Sequence, residues 1–287
     1  MNPSPAAPNE RPATRSRPRV RSTGPSGTLS PFPRAAEEER YGIDTWASTG
    51  ERDAREHLLS LLHAAPIPPD QLLSTLGLFL ESKNLARLLF MDELFRRIVG
   101  VQGVVLELGT RWGQNAALFA ALRGIHDPFN RHRRIVAFDT FAGFPELSVA
   151  DGTAGLMKLG NLSVTPGYAD FLREVLRTQE SLAPLAHIEK FEIRAGDATR
   201  ELPAYLVERP ETIVALAYFD FDLYEPTRHC LEILRPRLVR GSVLAFDELN
   251  DPDSPGETTA LMETFGLGNV RLQRPSYCSR VSFFVVE

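Results

Sequence analysis

Cysteine is scarce: Cys230 and Cys278 are the only two in 287 residues. Two thiols so far apart supply neither a disulfide framework nor a Cys-based zinc site. No run of about 18 uninterrupted apolar residues exists, and the first 34 residues lack the apolar core of a secretory signal. A membrane span and secretion are therefore not expected, and a cytoplasmic setting is. The six histidines show no HxxxH or other paired spacing, so none is assigned to a metal or to catalysis. Also missing is the G-x-G-x-x-G loop that lets a pyrophosphate rest on a helix N-terminus, which argues against a nicotinamide oxidoreductase.

What is present is the balance of a globular protein, 43% apolar and 24% charged, enough to bury a sizeable core. The net charge of -5 conceals a split. Residues 1–34 carry six Arg against the single Glu10, so the remainder carries -10. An acidic body repels phosphate backbones, which argues against nucleic acid as the main partner, with the Arg-bearing tail as a small exception. The tail holds eight Pro with Ser, Gly and Arg and almost no large apolar groups. Such a composition cannot offset the entropy of ordering, so residues 1–36 are expected to be disordered. Its prolines also break the amphipathic helix that a transit peptide needs.

Beyond this tail, residues 53–63 and 70–99 read as helices, with Leu85, Leu88, Leu89, Phe95, Ile98 and Val99 repeating near i, i+3, i+4 as one apolar face. They are expected to form a helical layer over 37–100 that packs on the following core. From residue 103 short apolar runs alternate with helices. Strands are expected at 104–108, 135–138, 188–194, 213–219, 243–246, 270–273 and 281–286. The first five are dense in Val, Ile, Leu and Phe, as parallel strands covered on both faces are. Helices are expected at 114–122, 168–178, 199–207, 226–234 and 256–265. Strict alternation of this kind means an α/β doubly wound sheet, and the last two strands, joined without a helix, should pair antiparallel at an edge.

Ligands in such sheets sit outside the carboxyl ends of the strands. An acidic residue stands at or beside all five of the first strand ends: Glu107, Asp139, Asp197, Asp220 and the pair Asp247-Glu248. One Asp there is easily a helix cap or turn former; five in five is harder to assign to capping alone. The loop Glu107-Leu108-Gly109-Thr110-Arg111-Trp112-Gly113 turns on Gly109 and Gly113 and begins with a carboxylate, which repels a phosphate and attracts a cation. S-adenosylmethionine, with an ammonium and a sulfonium and no phosphate, fits it better than a dinucleotide. Asp139 can accept from both ribose hydroxyls, and Asp197 can take the adenine amino group or cap its helix. Asp222 could join the acidic site, yet Asp222-x-x-Glu225 also reads as a capping box, as does Ser254-Pro255-Gly256-Glu257. Residues 143–167 form a long loop expected to act as a lid.

Residues 107–113 (ELGTRWG), 138–145 (FDTFAGFP), 220–227 (DFDLYEPT) and 246–250 (FDELN) together resemble the class I S-adenosylmethionine-dependent methyltransferases. More narrowly, they resemble the macrocin O-methyltransferase type, which methylates hydroxyls of antibiotic sugars. The resemblance covers roughly residues 100–287, and Arg111, where the generic loop has its middle glycine, favours the narrower type. It implies a methyltransferase domain over 101–287 with a seven-stranded Rossmann-like sheet of order 3-2-1-4-5-7-6, and cofactor contacts from Glu107, Gly109, Gly113, Asp139 and Asp197. With strands four and five neighbours, Asp220, Asp247 and Glu248 crowd together and call for a cation, and hard oxygen ligands suit Mg²⁺. The same ligand set is what the family implies, with Asp220 as metal ligand and base.

The expected activity is Mg²⁺-assisted O-methylation of a hydroxyl on a sugar or glycosylated small molecule. Methylation of a catechol or phenol is the alternative. It is weakened by Leu223, which stands where catechol-type enzymes carry Lys. A non-catalytic nucleotide-binding module is a third reading. The partner is a small-molecule acceptor, with no nucleic acid and no membrane, and the helical layer could pack between subunits of a homo-oligomer.

Overall fold

The computed structural model describes residues 47–287; the expected disorder of residues 1–36 lies outside the described residues. Among the described residues three helices precede the sheet: α1 (Thr49–His63), α2 (Pro69–Leu72) and α3 (Ser82–Ile98). Ser48 caps α1 in a full capping box with Glu51, the pattern that satisfies two orphan N–H groups at once. The continuous helix expected over 70–99 is instead interrupted. Leu73–Phe79 winds as a 3₁₀ segment and the chain is extended at Leu80 and Glu81 before α3 begins.

The sheet has strands β1 (Val104–Leu108), β2 (Ile135–Asp139), β3 (Phe191–Ala195), β4 (Val214–Phe219), β5 (Leu238–Phe246) and β6 (Ser282–Val285). They lie in the order β3-β2-β1-β4-β5-β6. The first five are parallel and β6 runs antiparallel to β5. Among the described residues the sheet has six strands where seven are expected. Residues 270–273 contribute one antiparallel bridge, Gln273 to Phe283, on the outer side of β6. With Pro275 close behind and Arg271 and Leu272 exposed, that segment lacks the buried alternation that holds a strand in register.

Helices α4 (Gln114–His126), α5 (Tyr168–Ser181), α6 (Ala198–Glu208), α7 (Tyr224–Leu234) and α8 (Gly256–Thr264) cover the two faces. On one side α3, α4 and α5 bring Phe90, Leu94, Phe119 and Leu172 onto Val105, Leu216 and Val243. On the other, α6, α7 and α8 bring Leu202, Leu231 and Leu261 onto Leu106, Ala217 and Leu244. Strands buried on both faces explain the unbroken apolar runs of β1 and β4.

The docked face of α3 keeps Phe95 and Ile98 of the expected set but not Leu85, Leu89 and Val99. Phe90, Met91, Leu94, Phe95 and Ile98 are buried, whereas Leu85 and Leu89 are 45% and 50% exposed and Val99 is 39% exposed. The helix is apolar over more than one face, and the site of docking selects which face is used. Arg133, fully buried, fixes that docking. Its guanidinium donates to the carbonyls of Ile98 (2.9 Å), Val101 (2.7 Å) and Gly103 (2.6 Å) and pairs with Asp127 at 3.0 Å. It thereby ties the end of α3 to the start of β1.

Replacing Phe90 with Ala should destabilise the fold by about 4 kcal/mol, the usual cost of emptying a buried aromatic site, read by denaturant unfolding. A loss below about 1 kcal/mol would show that α3 is not docked as described.

Candidate active site

Strand order reverses between β1 and β4, and at such a switch point a crevice opens outside the carboxyl ends of the strands. A cavity of about 800 Å³ lies there, within the range of small-molecule sites. The loop after β1 borders it through Gly109 and Arg111, the ends of β2 and β3 through Asp139 and Asp197, and the ends of β4 and β5 through Asp220, Asp222, Asp247 and Glu248. From the helical layer come Arg55, Lys83 and Arg87, and from residues 143–167 come Phe144 and Leu156.

Gly109 (φ +96°) joins the two halves of this site. A Cβ there would lie 2.0 Å from the carbonyl oxygen of Asp220, so only glycine lets the β1 loop press against the end of β4. Gly113 (φ +76°) precedes α4, and a Cβ would strike Leu172 at 2.3 Å. Gly113 does not line the cavity; it serves the packing of the loop on α5.

Glu107 is wholly buried beneath this loop and also does not line the cavity. Its Oε2 accepts from Thr110 Oγ1 at 3.2 Å. Burial pushes its carboxyl up to about 8, against the opposing hydrogen bond from Thr110. Asp139 does reach the cavity, but its oxygens are largely engaged. Oδ2 accepts from the N–H groups of Thr110 (2.8 Å) and Arg111 (2.7 Å), and Oδ1 from that of Phe141 (2.6 Å). With about four lone-pair directions per carboxylate, one remains for a ligand rather than the two expected for a pair of ribose hydroxyls. Burial raises its pKa despite these bonds. Asp197 caps α6, its Oδ1 accepting from Thr199 N–H (2.9 Å) and Oγ1 (2.8 Å), while still bordering the cavity.

The acidic end is denser than the sequence suggests. Asp222 is not a helix cap: α7 starts at Tyr224, its N-cap Leu223 makes no side-chain bond, and Glu225 pairs with Arg228 instead. The Tyr224 N–H is taken by Asp151 Oδ1 at 2.5 Å, which pins the 143–167 loop to α7. Asp222 itself sits at φ +60° and is buried beside Ser254, whose Oγ donates to it at 3.4 Å. Nor does Ser254 cap α8, whose N-cap is Pro255. Glu257, fully buried, accepts from the N–H groups of Phe221 (3.0 Å) and Glu248 (3.4 Å). It braces the turns after β4 and β5 against each other.

Burial, with Asp247 nearby, raises Asp220 well above the carboxylate range. Glu248 and Glu257 are raised for the same reason, and burial lifts Asp222 to about 6. Asp247 goes the other way. Burial opposes its charge, but Arg87, with Nη2 2.8 Å away, and the hydroxyl of Tyr218 hold it below the usual value. Arg87 and Tyr218 went unnoticed in the sequence. An Arg inside the apolar run LARLLFM (85–91) was the available signal.

Among the described residues, oxygens of Asp220, Asp222 and Glu248 all lie within 4.8 Å of one another. Glu248 Oε1 accepts from Arg280 at 2.9 Å, and its buried Oε2 has no partner. Three hard oxygen donors and one unsatisfied buried oxygen fit a divalent cation such as Mg²⁺.

No family model matches the chain, and no curated protein does. Solved structures do. That of the calicheamicin methyltransferase CalS11 is 39% identical over 85% of this chain and 97% of its own, with a TM-score of 0.82. An apo structure of CalS11, described as a TDP-rhamnose 3'-O-methyltransferase of calicheamicin biosynthesis, is 38% identical over 84% and 96%, with a TM-score of 0.75. The O-methyltransferase NovP, 21% identical over 70% and 79% with a TM-score of 0.53, shares the fold. The sheet and its crevice are therefore those of a class I S-adenosylmethionine-dependent methyltransferase. Within that class the chain belongs to the macrocin O-methyltransferase (TylF/NovP-like) type, and it is an O-methyltransferase.

The raised pKa of Glu107 has a definite sign for stability. The folded state holds this proton more tightly than the unfolded chain, so the stabilisation is complete below about 4.5 and is lost as pH rises through about 8. The melting temperature of the ligand-free protein should fall over that window, and Glu107→Gln should make the fall shallower in scanning calorimetry. An unchanged slope would contradict the shift.

Proposed function

We propose that this enzyme transfers a methyl group from S-adenosylmethionine to a hydroxyl of a sugar, with a divalent cation, Mg²⁺, assisting. CalS11, described as acting on TDP-rhamnose, supports a sugar on a small-molecule carrier as the acceptor. The observation that carries the reading is the carboxylate cluster on the β4 and β5 ends, pressed against the Gly109 loop.

S-adenosylmethionine supplies an electrophilic methyl on a good leaving group. A cation held by Asp220 and Glu248 would supply acidity to a hydroxyl that is otherwise a poor nucleophile. The protein's own groups do the rest. Asp139, Asp197 and the Gly109 loop border the cavity and would hold the methyl donor. Asp220 follows β4 directly, with its amide N–H bonded to Leu108 O at 2.8 Å, so its carboxyl is fixed relative to the β1 loop. That rigidity sets the direction of attack. Asp220 Oδ takes the hydroxyl proton. Phe144 and Leu156 of the 143–167 loop border the cavity and act as the lid that keeps water from the methyl group.

Replacing Asp220 with Asn should abolish turnover, roughly 10²-fold or more for a base of this kind, with S-adenosylmethionine affinity nearly unchanged in calorimetric titration. Equal loss of both would refute the assignment.

A further inference from the structure

The cations that border the cavity are not alike. Arg87 faces Asp247 and Asp220, Arg280 pairs with Glu248 and Asp251, and Arg111 acts on Asp220, Asp222 and Asp139. Carboxylates near the strand ends offset all three. Lys83 also borders the cavity, yet among the described residues it makes no hydrogen bond or ion pair. Arg55 of α1 borders it too, and its Nε donates to Glu81 at 2.9 Å. Among the described residues neither Nη of Arg55 has a partner, so both are available to a ligand. Glu81 immediately precedes α3, so this bond holds Arg55 at the start of the helix that carries Lys83. Glu51 lines the same side, but its Oε2 is engaged by the N–H (2.8 Å) and Oγ (2.9 Å) of Ser48.

The direction of α3 places these groups relative to the reacting centre. Its C-terminal end is tied to the start of β1 through Arg133, so its N-terminal turn projects past the carboxyl ends of the strands. Arg87 stands 3.7 Å from Asp220. Lys83 lies one turn farther out on the same face, about 6 Å along the axis, which is about the width of a sugar ring. Resting on the proposed methylation of a sugar hydroxyl, we infer that the acceptor is a phosphorylated sugar, its phosphate held by Lys83 and Arg55 while its hydroxyl faces Asp220. An ammonium and a guanidinium fork are the usual donors to phosphate oxygens. The carboxylates at the strand ends repel the phosphate, so the two polarities of the cavity set the orientation: phosphate outward, hydroxyl inward. A neutral glycoside gains nothing from either cation.

The test is calorimetric titration of inorganic pyrophosphate, thymidine diphosphate and thymidine into the full chain saturated with S-adenosylhomocysteine, without divalent cation. Pyrophosphate and thymidine diphosphate should bind, and thymidine should bind far more weakly. Lys83→Met should weaken both anions roughly 10-fold or more, and Lys83→Arg should restore most of the loss. Arg55→Met should act in the same direction, with retained S-adenosylhomocysteine affinity reporting folding. No binding of either anion, or affinities that both Met variants leave within about two-fold of native, overturns the inference. Turnover separates it from the reading it rests on, with TDP-rhamnose (the acceptor in the description of CalS11), rhamnose 1-phosphate and methyl rhamnoside as acceptors. Lys83→Met should raise KM for the two phosphorylated acceptors and not for methyl rhamnoside, and a preference for TDP-rhamnose over the 1-phosphate identifies a nucleoside diphosphate as the carrier. Methyl rhamnoside used as well as the phosphorylated acceptors overturns the inference and leaves sugar methylation standing. Lys83-dependent pyrophosphate binding without methylation of any of these sugars supports the anion site and counts against the sugar reading.

Discussion

A carboxylate taken out of water is costly, and this protein gathers five of them where two adjacent strands end, Glu257 reaching in from α8. Asp220, Asp222, Asp247, Glu248 and Glu257 act on one another there, and burial raises four of the five. Arg87 neutralises Asp247, and Arg280 pairs with Glu248 and with Asp251. Arg111 also acts on Asp220 and Asp222, and these three arginines are fewer than the five carboxylates. The rest of the site follows from that deficit, because such a cluster is stable only when it shares protons or receives a cation.

The fold exists to hold this cluster against a second binding surface. Parallel strands buried on both faces end together, and the switch between β1 and β4 leaves their carboxyl ends open. Gly109 brings the β1 loop into contact with the Asp220 backbone, so methyl donor and acceptor hydroxyl can be held on the two sides of one narrow junction. The helical layer is also part of the site. The buried face of α3 and the Arg133 clamp set its position, and that position delivers Arg87 to Asp247.

The parallel sheet was largely legible in the sequence because its strands are dense in β-branched and aromatic residues and separated by clear helices. The acidic strand ends were legible for the same reason: once strands are placed, the residues that follow them are placed too. What could not be read depends on contacts between distant segments. Arg87 meets Asp247 across 160 residues, and Asp151 supplies the cap of α7 from 73 residues away. With that N–H satisfied from outside, Asp222 was released from the capping role its spacing suggested. Glu257 likewise reads as a first-turn helix residue, yet it serves two backbone N–H groups on other elements. The strand expected at 270–273 shrank to one bridge, with Arg271 and Leu272 exposed.

The central claim is that the carboxylates at the ends of β4 and β5 form a cation site beside the methyl donor. Crystals grown with S-adenosylhomocysteine and soaked in Mn²⁺, a hard cation that suits the same oxygen ligands, test it through anomalous scattering. The account predicts one strong peak in direct contact with Asp220 and Glu248. A map with no peak there, although the cofactor product is bound beside the Gly109 loop, would contradict it.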